Sequence, residues 1–291
     1  MMKFLKAKAT AVIAAALALT VGASGMILHL ATPAHAAELS ISGASVRTFA
    51  GAQAVTNGEL VGSEESPVSI SVFVTGSTAD RYNVHNAKWT HDGTGWTGED
   101  AILWDSQATS QAISACYPYR ADVTNGAITV NAAEQVDYLV ATATPVTAED
   151  IRLTMTHAMA KLVLTPTWGG EVAEEARVID KVEVHGMYAS GTLHVAGNTW
   201  DDLSAPTATL EMEDNELLVI PMAACESFAI TVTLENGRVF QTTVSLADNE
   251  SSLQGGTQYT IALQIGQDGA GLGGITATSW IPVDGGDLAT E

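Results

Sequence analysis

The sequence has little positive charge. Lysine and arginine together number 12 against 33 aspartate and glutamate residues, a formal net charge of −21. Such an acidic surface repels phosphate backbones and anionic lipid headgroups, which argues against nucleic acid as a partner. Cysteine is nearly absent: Cys116 and Cys225 are the only 2 in 291 residues. That excludes a disulfide-framework protein and any zinc or redox motif with Cys-x-x-Cys spacing. Each cysteine lies beside apolar residues in a strand-like stretch. Both read as buried thiols, with one bridge between them as the alternative in an oxidising compartment.

Catalytic signatures are missing as well. The chain has no Gly-x-Ser-x-Gly elbow, no Walker loop, no His-Glu-x-x-His and no Rossmann glycine fingerprint. No pair among His85, His91, His157, His185 and His194 has the i, i+4 spacing of a helical zinc site. His185 and His194 flank Gly191 and could meet across a hairpin; two separate strand histidines are the simpler reading. Neighbouring carboxylates such as Glu174 and Glu175 or Asp201 and Asp202 read as solvated turns. The stretch from Asp92 to Asp100 has the composition of a calcium loop without its ligand order, so it reads as a hairpin loop. The expectation is a non-enzyme with no cofactor and no metal.

What is present begins with an export signal. Lys3, Lys6 and Lys8 precede an apolar stretch over residues 9–30, which ends at Ala34-His35-Ala36. A basic start, an apolar centre and a small-x-small site make residues 1–36 a secretory signal, cleaved after Ala36. Its three lysines leave with it, so the remainder is more acidic still.

From there on, helical periodicity gives way to short alternating runs broken by Gly, Asn, Asp and Pro, which is the strand pattern. Val68, Ile70 and Val72 share one face. Ile151, Leu153 and Met155 alternate with Arg152, Thr154 and Thr156. The run over 161–165 is expected to stop at Pro166. Phe228, Ile230, Val232 and Leu234 alternate with Ala229, Thr231 and Thr233. Asn236-Gly237 then predicts a two-residue type I′ hairpin before the run over 239–246. One helical turn is expected at 172–176, and residues 266–274 form a glycine-rich tract. About a dozen strands with frequent turns imply β-sandwich architecture, and their number suits two sandwiches. Pro145 and Glu149-Asp150 place the boundary near residue 150. The domains expected are thus 37–150 and 151–291.

Trp89, Trp96 and Trp104 fall within 16 residues, with Tyr82 nearby. They read as core anchors, or else as a glycan-stacking platform.

The sequence resembles the fimbrillin family, the Mfa-like and FimA-like subunits of Bacteroides-type bacteria. The matching residues run in order from Arg47 and Phe49 through Ser71 to Val74. Next come Tyr82, Asn86, Trp89 and Trp96, followed by Ile102-Leu103-Trp104. Ala115-Cys116-Tyr117-Pro118-Tyr119 and Asp137-Tyr138-Leu139-Val140-Ala141 continue the pattern. In the second half the matches are His157-Ala158-Met159-Ala160-Lys161-Leu162, Val182 to Gly186, Val219-Ile220-Pro221, Gly256-Thr257-Gln258-Tyr259 and Ile275 to Trp280. The resemblance implies two tandem transthyretin-like β-sandwich domains. It implies a shaft, tip or minor subunit of a cell-surface pilus, which supports adhesion. Its partners would be other fimbrial subunits, bound by donor-strand exchange, and surface glycans or proteins. It also implies proteolytic release of the N-terminal strand, for which Arg47 is the candidate site. The segment before Arg47, with Leu39 and Ile41 alternating with Ser40 and Ser42, would be an edge strand filling a groove. One departure stands out: family members usually carry a lipobox cysteine, and here Ala34-His35-Ala36 stands instead. The competing reading is a monomeric glycan-binding adhesin that uses the tryptophans.

Overall fold

β-Branched and aromatic residues at every second position favour a pleated, half-buried surface, and the chain supplies them repeatedly. The computed structural model describes residues 41–46, 55–56, 59–60, 62–99, 102–103, 105, 111–123, 125–143, 151–246, 251–267 and 269–280. Within them lie twenty strands and no α-helix. The first ten are β1 (Ile41–Val46), β2 (Val55–Thr56), β3 (Glu59–Leu60), β4 (Val68–Thr75), β5 (Val84–His91), β6 (Trp96–Gly98), β7 (Ala112–Tyr117), β8 (Ala127–Asn131), β9 (Leu139–Ala143) and β10 (Ile151–His157). The rest are β11 (Ala160–Trp168), β12 (Ile179–Met187), β13 (Ser190–His194), β14 (Thr199–Asp201), β15 (Ala208–Glu211), β16 (Glu216–Val219), β17 (Ser227–Leu234), β18 (Val239–Ser245), β19 (Thr257–Ile265) and β20 (Ala270–Ser279). The helical turn expected at 172–176 is a 3₁₀ turn, Glu174–Ala176.

The protein is all-β. A nine-stranded sheet runs β2-β3-β1-β10-β9-β7-β4-β5-β6. Two four-stranded sheets run β16-β11-β19-β20 and β15-β12-β17-β18, and a three-stranded sheet runs β14-β13-β8. Side chains gather into two apolar cores. One is built on Ile70, Val72, Trp89, Ile113, Leu139, Leu153 and Met155 of the nine-stranded sheet. The other centres on Leu162, Val184, Leu193, Ile230, Ile261 and Leu263, and it also takes in Phe73, Cys116, Ile128, Val130 and Tyr138 from the first half.

The first half therefore reaches into the second core. β8 pairs with β13, Ile128 opposite Leu193. Just beyond β8, Gln135 serves the edge of β16 as a substitute strand: its Oε1 accepts from the Leu218 N–H at 2.8 Å, and its Nε2 donates to the Leu218 carbonyl at 3.0 Å. Arg120 forks onto Asp122 at 3.0 and 2.7 Å and donates to the Tyr138 hydroxyl at 2.8 Å, which fixes the lead-out from β7.

Four details differ from the sequence-based expectations. The boundary expected near residue 150 precedes β10, which pairs with β1 and β9; the chain changes sheets at 158–159 instead. β11 runs through Pro166, which sits opposite Leu263 of β19. The strand tolerates proline because the missing N–H falls on the side away from β19. The glycine-rich tract contributes its second half to β20, paired along β19. Finally, Asn236-Gly237 is not a two-residue type I′ turn. The Gly237 N–H donates to the Leu234 carbonyl and the Leu234 N–H to the Arg238 carbonyl, both at 2.8 Å. Of the two turn residues, only Gly237 has positive φ, at 81°. This is a type I turn followed by a left-handed bulge residue, the next most common hairpin connection.

A side chain added at Gly237 would point into open space, so its cost is confined to the backbone. Gly237→Val is expected to destabilise by about 1–2 kcal/mol, the range for a non-glycine residue held left-handed. Urea denaturation checks this, and an unchanged midpoint would remove the left-handed bulge as a determinant of stability.

Candidate functional site

β1 is set apart by the direction of its pairing. It runs parallel to β10, with Ala44 opposite Leu153 and Val46 opposite Met155, and a register irregularity between Ile41 and Gly43. On its other side Ser45 meets Glu59 of β3. β1 is thus an inner strand of the sheet, not the edge strand expected from its sequence. β9 reaches only Thr156 and His157 of β10. Residues 151–155 depend on β1 for their ladder. Leu153 and Met155 are themselves fully buried in the first core. Taking β1 away would leave the main-chain groups of every second residue over 151–155, those turned toward β1, unpaired beside an apolar core, a configuration that invites another strand. In sequence Arg47 follows Val46 directly. Arg47 and Ala36, the two processing candidates, lie outside the described residues.

A second cluster holds the place where the chain leaves β10. His157 is buried, and its Nδ1–H donates to Asp137 Oδ1 at 2.8 Å. Its ring stacks on Trp280 with centroids 3.6 Å apart and planes 7° from parallel. Lys161, also buried, pairs with Glu216 Oε2 at 2.6 Å and places its ammonium 5.8 Å from the Trp280 ring. The main chain closes the same knot: the Trp280 N–H donates to the Gly256 carbonyl at 2.7 Å, and the Gly256 N–H to the Met159 carbonyl at 2.9 Å. Gly256 has φ 70°, and a Cβ on Gly255 would stand 2.7 Å from the Ala158 carbonyl oxygen. This cluster joins the start of the second half to its last described residue. In the sequence, Asp137, His157, Lys161, Gly256 and Trp280 stand out as pieces of a family pattern and Glu216 does not; Asp137 and Glu216 carry no spacing signal that would pair them with His157 and Lys161.

The tryptophans are not brought together as a platform. Trp89 is 5% exposed and is a member of the first core. Trp96 is half-buried and meets His91 edge-on, with centroids 5.4 Å apart. Trp104 lies outside the described residues. The loop after Asp92 is a hairpin connection between β5 and β6, with the Asp92 carboxylate accepting from the Thr94 N–H and hydroxyl at 3.0 and 2.7 Å. Hydrogen bonds from Thr94 hold that carboxylate below its usual pKa range. His185 and His194 do not meet: His185 lies between Thr209 and Thr231, while His194 pairs with Asp201. Cys116 and Cys225 are both free and buried. Burial pushes both thiols up in pKa.

Sheets wrapped around two apolar cores, with β1 laid parallel along the first of them, define an all-β sandwich protein. A family model described as fimbrillin-like matches residues 55–280, and the chain belongs to that family. A comparison with curated proteins found no match. Among solved structures, a protein assigned to cell adhesion from Bacteroides uniformis ATCC 8492 is similar, at 17% identity and TM-score 0.62, covering 84% of this chain and 98% of that one. One from Bacteroides ovatus ATCC 8483, also assigned to cell adhesion, has 17% identity and TM-score 0.62, with 84% and 99% covered. A fimbrial protein from Bacteroides vulgatus ATCC 8482 has 13% identity and TM-score 0.50, with 83% and 99% covered. At these identities the likeness is one of fold.

Two outcomes follow from the geometry. Trp280→Ala is expected to cost about 3–5 kcal/mol, as deletion of a buried aromatic does. Trp280→Phe keeps a stacking ring and should cost clearly less; equal losses in equilibrium denaturation would show that the stack on His157 contributes nothing. Because the thiolate is the reactive form, neither cysteine should react with a thiol reagent until the protein unfolds, when both should. Rapid labelling of the native protein would contradict the burial.

Proposed function

We propose that this chain is a structural subunit of a cell-surface fimbrium, joined to its neighbours by strand exchange and supporting adhesion, without a catalytic role. It would be exported by the segment ending at Ala36 and serve as a shaft, tip or minor component. One observation carries the reading: β1 is the ladder partner of residues 151–155 of β10 and ends immediately before Arg47. A single cleavage after Arg47 would cut the covalent link holding β1 to the rest of the sheet. The vacated site offers main-chain donors and acceptors together with apolar core, both of which an extended segment of a neighbouring subunit can satisfy. The fimbrillin-like family match supports the same role.

Brief trypsin digestion followed by size-exclusion chromatography and an unboiled gel tests the proposal. The expected products are a new N-terminus at Thr48, loss of β1, and a ladder of associated subunits that Arg47→Ala prevents. If removal through Arg47 leaves an equally stable monomer that never associates at high concentration, strand exchange at this groove is wrong.

A further inference from the structure

A cleft of about 450 Å³ opens on the second half of the molecule, within the size range of small-ligand sites. Its walls are the end of β11 (Pro166, Trp168), the lead into β12 (Arg177 to Val182) and the turn between β15 and β16 (Asp214, Asn215). The cleft exists because β16 is short. β16 accompanies β11 only as far as Val163, and the Leu164 N–H then donates to the Asn215 carbonyl at 2.8 Å. From there to Trp168, β11 has β19 as its strand partner and no strand on the other side among the described residues. By the two-residue alternation, Pro166 and Trp168 turn their main chain to this open side, as Leu164 does. Pro166 has no N–H, so the edge cannot template a further strand along its length, which disfavours an extended peptide as the occupant.

The side chains fit a different ligand. Trp168 is partly exposed and lines the cleft. Asp180 and Asp214 are exposed, and their carboxylates have no hydrogen bond or ion pair among the described residues. Arg177 is anchored by Nε donating to the Val172 carbonyl at 3.0 Å, with its other guanidinium donors still available. Asn215 commits its main-chain oxygen to Leu164, while its side-chain amide offers both a donor and an acceptor. Lys181 is already neutralised by Glu183 at 2.8 Å and Glu211 at 3.5 Å. The polar groups are held in place. Asp214 and Asn215 have φ 50° and 64°, and paired main-chain bonds between Glu213 and Glu216 close a type I′ turn around them.

We infer that this cleft is a binding site for a neutral saccharide. Vicinal hydroxyls donate to Asp180 and Asp214 and accept from Arg177 and Asn215, while the apolar face of a sugar ring lies on Trp168. Two unpaired carboxylates against one available guanidinium, in an already acidic protein, disfavour an anionic sugar. Fixed turn and anchored arginine lower the ordering cost that weak ligands must overcome. The inference is independent of strand exchange at β1.

The test uses the purified full chain with cellotetraose, maltotetraose, mannotetraose and chitotetraose, followed by saturation-transfer NMR and tryptophan fluorescence. Sialyllactose and spermidine serve as anionic and cationic controls. At least one neutral probe is expected to bind with a Kd on the order of 1 mM or tighter. Asp180→Ala and Asp214→Gly, the latter chosen because glycine suits the left-handed turn, should each weaken it about tenfold or more with the melting transition unchanged. Trp168→Ala should abolish it. Absence of binding by all four neutral probes overturns the inference, as does binding that survives both aspartate replacements. Binding of spermidine or sialyllactose alone overturns it too.

Discussion

With no α-helix among the described residues, nearly every main-chain N–H and C=O in the interior must find its partner on another strand. That single requirement organises the molecule. A helix satisfies itself; a strand leaves two edges that something else must meet. The structure meets them in several ways. β1 lies along the part of β10 that β9 does not reach. The amide of Gln135 covers Leu218 at the rim of β16. Pro166 removes a donor where β11 has outrun its neighbour. Each solution is local, yet each comes from a distant part of the chain, and together they draw the two halves around shared apolar side chains.

This explains which features were legible beforehand. Alternation is a nearest-neighbour property, so β4, β10, β17 and β19 could be read from residue types alone; burial follows that alternation in β17 and β19, whereas β4 is buried on both faces. The identity of a strand's partner is not local. Nothing in residues 127–131 says that they pair with 190–194, and nothing near residue 150 says that β10 belongs with the strands before it. Turn chemistry was legible in part. Gly237 is left-handed as expected, but the turn begins one residue earlier, because Asn236 keeps negative φ. Meanwhile Asp214-Asn215, a pair suited to positive φ and set between two apolar runs, is the true type I′ turn.

The candidate sites were the least legible. Tryptophan clustering pointed to Trp89, Trp96 and Trp104, whereas Trp89 fills a core and Trp168, isolated in sequence, lines the open cleft. Spacing rules find ligands that share one helix or one hairpin. His157, Asp137 and Trp280 come from three separate segments and meet only because β10 ends where β20 also ends. The buried Lys161 beside them illustrates the same point: a charge in the interior is tolerated because Glu216 and the Trp280 ring are both delivered to it by sheet pairing.

Two of the strand pairs, β1 with β10 and β11 with β19, are parallel, and direction matters under mechanical load. When the chain is pulled from the residues preceding β1 and those following β10, the two strands are drawn past one another along their length. Their hydrogen bonds are then loaded together, in shear, instead of being peeled one at a time as in a hairpin pulled at its open end. The same holds for the eight paired positions of β11 and β19. Tension transmitted lengthwise therefore meets its greatest resistance at the two places where the backbone returns to run beside itself in the same sense.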